Sequence, residues 1–518
     1  MSIGLVGHTG FVGGHLKMQC DNITHLFNSL NIETIEGLSF DTLYLACCPA
    51  EKWKANKYPD KDTNNLIKLK GHLSKCLAKK VILISTIDVY SYDKQNEDNT
   101  PEPCHTYGKN RYDFEQYISK TFSNVQIVRL PALFGFNLKK NYIYDLLHEN
   151  MVENIKAKSS FQWFDMADLY HYINVYHDKK IVNLFPEPIT TSEIIDIGIK
   201  SGVIHPSCKD KVSYEKGLFY CNYTKYSKTN FIYGKDDVIR KLIRFFKLEN
   251  VGRKLAISNI AWNDEKIEKL FYNYNIKHIE VAPTKIWGTW DNVDAKINPY
   301  LSGLTPVSFQ ALCYGCKDMD LFKSNETKEN FISHMKRVIM LTTNFSSPRP
   351  PALVFGSPKL RNTYGKSKKE CDDIFVNIFT LLSEFAKACS CVICLESNPK
   401  QYKCEYLYNI HECAKMVRKI NSESFKLHID VACMTLDGVI GENMYNCILD
   451  NKDIIYHCHI SEPFLNGFKL PLSDHKTFAK SIKELDNIYY SIEMKNGDTG
   501  TNYDRIEEAL KFIIKTYF

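Results

Sequence analysis

What this chain of 518 residues lacks narrows its reading before any motif is considered. No apolar run approaches the roughly 18 residues a membrane span needs. The first residues run straight into a strand, without the charged stretch and cleavage site of a secretory leader. Lys+Arg number 66 against 60 Asp+Glu, and with no concentrated basic block this small excess points neither to nucleic acid nor to an anionic membrane surface. Cys-x-x-Cys pairs do not recur at zinc-finger spacing among the 18 cysteines, which are scattered through apolar segments, as at Cys47, Cys48, Cys391, Cys394 and Cys433. Reduced, mostly buried thiols are therefore expected instead of a disulfide framework. These exclusions leave a cytoplasmic protein acting on small molecules, with no nucleic-acid or membrane partner; a homodimer is left open.

What is present is ordinary for a globular protein, with 44% apolar and 24% charged residues. The length allows two to four domains, and two are expected, 1–248 and 252–518. The first is organised around Gly4-Leu5-Val6-Gly7-His8-Thr9-Gly10-Phe11-Val12-Gly13-Gly14. A short strand runs into Gly7, Gly10 and Gly13, and Phe11 and Val12 open a helix. Glycines there permit a sharp turn, clear space beside the backbone and aim helix N–H groups at an anion, so Gly7, Thr9, Gly10, Phe11, Val12 and Gly13 are read as a dinucleotide cradle. About 20 residues on, where an acid usually holds the adenosine ribose, stand Asn28 and Ser29. Asn28 is the candidate ribose contact, and NAD versus NADP stays open.

Strand and helix signals alternate as far as Leu133, which predicts a parallel sheet covered on both faces. The buried run Val81 to Tyr90 ends in Ser85, Thr86 and Asp88, and a helix opens at His105-Thr106-Tyr107-Gly108. Tyr107 and Arg111 share a helical face, where a cation is expected to lower the phenol's pKa. For Asp88, a helix cap or turn and an acid/base role are both open. The glycine loop, Ser85-Thr86, Tyr107-Gly108 and Val128-Arg129-Leu130-Pro131-Ala132-Leu133-Phe134-Gly135 resemble the NAD-dependent epimerase/dehydratase family, extended short-chain dehydrogenases/reductases acting mostly on nucleotide sugars. The resemblance spans about residues 1 to 247. It implies Thr86 as hydroxyl, Tyr107 as acid/base, Arg111 as cation where the family has lysine, and Asp88 as a dehydratase-type carboxylate. The aromatic stretch with Trp163, Tyr170 and Tyr172 and the run Val182 to Ile189 resemble that family's substrate lobe. An amphipathic helix, Arg240 to Phe246, is expected to close this half, with Lys247 to Arg253 as linker.

From Lys254 the pattern restarts with eight strand-like runs, beginning at Leu255, His278, Val307, Leu353, Val392, Leu427, Ile454 and Tyr489. Helical segments such as Glu265 to Asn273, Glu326 to Leu341, Lys369 to Ala388, Tyr406 to Ile420 and Ile506 to Tyr517 separate most of them. The expected fold is thus α/β, a Rossmann-type doubly wound parallel sheet followed by a (β/α)8 TIM barrel, with Pro283 to Pro306 over the barrel mouth. The last four strands end in Glu396, Asp430, His459 and Glu493, and barrel geometry gathers strand ends at one face. Two glutamates, an aspartate and a histidine suit one divalent ion, Mn, Mg, Co or Zn, with His457 a rival to His459. Glu280, Gln310, Lys359 and Arg361 are further mouth candidates; the last two could receive a phosphate or carboxylate, or could be solvated charges.

Leu395-Glu396-Ser397-Asn398-Pro399, His428-Ile429-Asp430, His457-Cys458-His459-Ile460-Ser461-Glu462 and Ser491-Ile492-Glu493 resemble the xylose isomerase-like sugar phosphate isomerase/epimerase superfamily over residues 253 to 518. The resemblance implies a metal on the substrate oxygens, with Glu396 and Glu493 moving protons through an enediolate. Cys433 and Leu465 stand where the ketose 3-epimerase branch has a histidine and an arginine. Together the halves predict a bifunctional carbohydrate enzyme acting on a sugar nucleotide and on a sugar. The competing readings are an apurinic endonuclease-like metal hydrolase in the barrel, or one half kept only as a binding module.

Overall fold

Alternating strands and helices build a parallel sheet because each crossover helix returns the chain to the same end of it. In the computed structural model, which describes residues 1–263, 267–293, 303–497 and 502–518, the first half follows that pattern. Its strands are β1 (Ile3–Val6), β2 (His25–Phe27), β3 (Thr42–Leu45), β4 (Val81–Thr86), β5 (Val125–Leu130) and β6 (Ile181–Asn183). They form one sheet in the order β6-β5-β4-β3-β1-β2, and every pairing is parallel. Period-two alternation sends Leu5, Ile82 and Val128 into one apolar layer and Val6, Leu83 and Ile127 into the other, so helices cover both faces. The strand order reverses between β1 and β3, where open α/β sheets form their ligand crevice. Four helices border that region: α1 (Phe11–Gln19), α2 (Lys52–Lys57), α3 (Pro59–Leu73) and α4 (Thr106–Thr121).

The chain divides into two compact units, Met1–Glu249 and Asn250–Phe518. The segment expected as a linker is helical: α5 (Lys235–Lys254) runs straight through it. Among 247–253 only Gly252 is a poor helix former, and a side chain there would press on Asn275, so packing compensates for its weak propensity.

In the second unit eight parallel strands close on themselves: β7 (Leu255–Ser258), β8 (His278–Val281), β9 (Thr305–Phe309), β10 (Ala352–Phe355), β11 (Val392–Glu396), β12 (Phe425–Asp430), β13 (Ile455–Ser461) and β14 (Tyr489–Glu493). The barrel is closed by β14 pairing with β7. The helix expected from Glu265 is described from Glu268 to Asn273. Residues 264–266 and 294–302 lie outside the described residues, and with them that helix's expected start and much of the expected mouth connection. The helix expected from Tyr406 begins at Ile410, capped by Asn409.

Two register shifts matter for the barrel's interior. Leu427 pairs with Ile455, but His428 pairs with His457, so Tyr456 is an extra residue in β13. Likewise Ile279 pairs with Pro306 and Glu280 with Ser308, which makes Val307 the extra residue in β9. All eighteen cysteines are unpaired. Among the described residues no helix is long and apolar enough to cross a membrane.

Candidate functional site

In the first unit the glycine loop has the geometry an anion requires. Gly7 takes φ +92°, a region L side chains rarely enter, and a Cβ added to Gly13 would fall on the Gly7 carbonyl. Helix α1 starts at Gly10 with no side-chain cap and no acid in its first turn, leaving its N–H groups directed at the crevice. Thr9 is exposed, and Phe11 and Val12 are half-buried beside it. Asn28, at the end of β2, approaches the same loop, with its amide 3.3 Å from His8 Nε2. These residues fit the phosphates of a dinucleotide, and the ribose end offers an amide and an imidazole where an acid is usual.

The side chains beyond the loop are more constrained than the sequence suggests. Strand alternation turns Ser85 toward the buried Glu115–Arg129 ion pair, 2.5 Å from Glu115 Oε1, and Thr86 toward Asp88. Thr86 Oγ1 accepts the Asp88 N–H at 3.2 Å, so Asp88 does lie in a capping turn. Its carboxylate also holds Lys52 at 2.6 Å and faces His105 Nε2 at 3.6 Å. Burial pushes that carboxyl up, but His105 and Lys52 outweigh burial and keep it below its ordinary value.

Tyr107 is buried, with Arg111 stacked over its ring at 4.4 Å. The guanidinium is occupied by Asp62, at 2.8 and 3.1 Å, and by the Pro49 carbonyl. Burial pushes the phenol up to about 12 despite the Arg111 charge, the reverse of the lowering expected from a neighbouring cation. Asp62, Lys52 and His105 were not legible as partners. Asp62 lies on a polar helix with no motif, Lys52 is one of many lysines, and only the position of His105, two residues before Tyr107, offered a hint.

In the barrel, Glu396, Asp430, His459 and Glu493 converge, and one potential ligand atom from each lies within 4.8 Å of the others. His459 Nδ1 faces Glu493 at 3.2 Å, Glu396 at 3.5 Å and Asp430 at 3.7 Å, yet has no hydrogen-bond partner of acceptable geometry. Its other nitrogen, Nε2, lies 3.0 Å from Glu280 Oε2, which also accepts the Ser308 hydroxyl at 2.8 Å. With Nε2 donating to Glu280, Nδ1 keeps its lone pair for an ion between the carboxylates. Glu280 therefore lies beneath His459, fully buried, and is not a mouth residue.

The other three side chains are oriented as tightly. Asp430 caps α6 (Val431–Leu436), accepting the Cys433 N–H at 2.6 Å, while its second oxygen accepts from Ser461 at 2.6 Å. The capping reading and the cluster reading thus hold for one side chain. Glu396 accepts from Asn398 at 2.9 Å, and Asn398 in turn accepts from Arg361 at 2.8 Å. Arg361 is fully buried, and its other N–H groups include one given to the Leu407 carbonyl. It positions Glu396 through Asn398 and is neither a phosphate ligand nor a solvated charge. Lys359 is exposed, and Gln310 lines the cavity and donates to Ser258.

His428, His457 and His459 form a second buried group. Nitrogens of His428 and His457 lie 3.2 Å apart, and His457 Nε2 is 3.0 Å from Ser491 Oγ, so His457 is committed below the cluster. Of the two β13 histidines only His459 reaches the cluster carboxylates; His428, part of the run His428-Ile429-Asp430 but given no role by the sequence, lies 3.6 Å from Glu396.

A cavity of about 360 Å³ opens above the four residues. Burial pushes Glu493 up to about 7, and Asp430 is raised by burial and by Glu396. Burial works to lower His459, but Glu280 and Glu493 overcome it and hold the imidazole well above its ordinary value. An entering cation must displace these protons, so affinity should weaken as pH falls. Calorimetric titration with Mn(II) is expected to give a dissociation constant roughly 100-fold larger at pH 6 than at pH 8. A pH-independent constant would contradict this proton competition.

No family model matches the chain, and no curated protein does. Both halves are similar to solved structures that include sugar epimerases. MoeE5 in complex with UDP-glucose and NAD is 12% identical, with 48% of this chain and 100% of that one covered and a TM-score of 0.39. UDP-glucose 4-epimerase from the hyperthermophile Thermotoga maritima is 13% identical, with coverage of 48% and 98% and a TM-score of 0.34. L-Ribulose 3-epimerase is 15% identical, with coverage of 51% and 94% and a TM-score of 0.41.

Proposed function

We propose that the chain is a bifunctional carbohydrate enzyme. Its first half would apply NAD or NADP to a sugar nucleotide, in epimerase, dehydratase or reductase chemistry. Its second half would isomerise or epimerise a sugar or sugar phosphate through an enediolate. The observation that carries the reading is His459 Nδ1, buried and without a hydrogen-bond partner among three carboxylates at the base of a cavity.

Glu396, Asp430, His459 and Glu493 would hold one divalent ion, Mn, Mg, Co or Zn. When bound, that ion supplies positive charge against the negative charge developing on an enediolate. Glu396 and Glu493 flank the space and would take and return the proton on carbon. Asn398 and Arg361 keep Glu396 turned inward, and Glu280 keeps His459 turned toward the ligands.

In the first half, Gly7, Thr9, Gly10, Phe11, Val12, Gly13 and Asn28 would hold the cofactor. Thr86, Asp88, Tyr107 and Arg111 would form the substrate side. A second reading for this half has its own support: Arg111 is engaged by Asp62 and the Tyr107 phenol is raised. On that reading it binds a nucleotide without turning over a sugar.

The test is metal analysis of the full chain together with sugar incubation in deuterium oxide. One equivalent of divalent ion and deuterium entering carbon-bound positions is the expected result. About three zinc equivalents with cleavage of abasic DNA would favour hydrolysis, and no bound metal after supplementation would refute the barrel mechanism. Titration with NADH followed by assays with UDP-sugars separates the two readings of the first half.

A further inference from the structure

We infer that the barrel selects an uncharged sugar with an apolar far end, clasped by Tyr402, Phe464 and Leu465 opposite the four-residue cluster. The inference rests on the metal-dependent sugar reading of this site and names its substrate class. Cavity size sets the first limit. A volume of about 360 Å³ is at the low end of the roughly 300–1,000 Å³ of small-molecule sites, which fits a monosaccharide.

The second limit is charge. Glu396, Asp430, Glu493 and Glu462 all line the cavity, and among the described residues no lysine or arginine does. Arg361, the nearest guanidinium by sequence, is turned away onto Asn398 and Leu407. A terminal phosphate would enter among carboxylates with no described lysine or arginine to meet it.

The third observation is positive. Phe464 and Leu465 are consecutive non-glycine residues with φ 60° and 59°, a strained arrangement that persists only where surrounding bonds enforce it. Those bonds are present: Leu465 N–H donates to the Glu462 carbonyl, and the Leu465 carbonyl accepts from Lys495 N–H, each at 3.0 Å. Glu462 is itself fixed by His475 Nε2 at 2.5 Å and by Leu472 N–H at 2.7 Å. The turn holds an apolar pair at the cavity wall, with the Phe464 ring edge-on to Tyr402 at 5.5 Å. The Tyr402 hydroxyl accepts the Phe464 N–H at 3.0 Å, which fixes the oxygen at the cavity wall and leaves its own O–H to donate to a sugar oxygen.

The test uses the full chain loaded with cobalt(II), whose visible spectrum reports binding without turnover. The probes are fructose and tagatose, their 6-phosphates and their 6-deoxy analogues. The 6-deoxy sugars should bind at least threefold more tightly than the parents, and the phosphates at least tenfold more weakly. Tyr402→Phe should weaken the parent sugars at least fivefold while cobalt content stays at the wild-type value. Leu465→Arg should remove most of the penalty against the phosphates. Phosphates that bind as well as the parent sugars, or a spectrum that no probe perturbs, would overturn the inference. Deuterium exchange in the same samples keeps the two ideas apart: binding in the stated order without exchange upholds the clasp and refutes the enediolate reading.

Discussion

His459→Ala should leave the barrel without its ion, reducing bound metal from one equivalent to under a tenth, and should lower kcat/KM for any sugar the wild type turns over by roughly 10³-fold or more. Two effects act together. The side chain that faces Glu396, Asp430 and Glu493 is lost, so the remaining carboxylates repel one another in a buried setting. Glu280 loses its 3.0 Å partner while fully buried. Any rise in Tm on adding metal should disappear, because that rise measures binding to the folded state alone. His457→Ala is the informative control. Its nitrogens lie against His428 and Ser491, so metal content should stay above half an equivalent even if stability drops. Elemental analysis decides the matter, and metal lost from His457→Ala but kept by His459→Ala would transfer the ligand role to the rival histidine.

A contrast between adjacent glycines should be nearly as large in the first unit. Gly13→Ala places a methyl on the Gly7 carbonyl, where neither backbone can withdraw without opening the loop. NADH binding, followed by fluorescence titration, should weaken at least 100-fold, and stability should fall by about 2–4 kcal/mol. Gly14→Ala meets nothing closer than the His8 carbonyl at 3.8 Å. Alanine is the better helix former there, so affinity should be unchanged and stability equal or slightly higher. Equal effects at both positions would mean that the loop is an ordinary turn and not a phosphate cradle.

These positions also show how far the sequence could be read. The glycine spacing and most of the barrel's strand ends were legible because each rests on a local rule: a turn needs glycine, and a barrel gathers its strand termini; β13, expected to end at His459, runs on to Ser461. The parallel sheet and closed barrel followed from the same local rhythm. What stayed hidden depends on distant residues. Arg111 is four residues from Tyr107, yet its charge is taken by Asp62, 49 positions away. Burial of Tyr107, a property of the folded layers, then outweighed the cation it was expected to feel. Arg361 looked like a surface cation because its run resembles a loop, and only packing reveals its bond to Asn398. Helix α5 continued through 247–253 because nothing local stops it.

The extra residue at Tyr456 bears on more than the bend of one strand. With even pairing continued from Leu427 and Ile455, Asp430 would stand beside Cys458, and both histidines of β13 would face the surrounding helices. The convergence of the four side chains is therefore a matter of parity as much as of composition. A chain with the same side chains in the same order, but paired without that register shift, would bring a thiol and not an imidazole to Asp430.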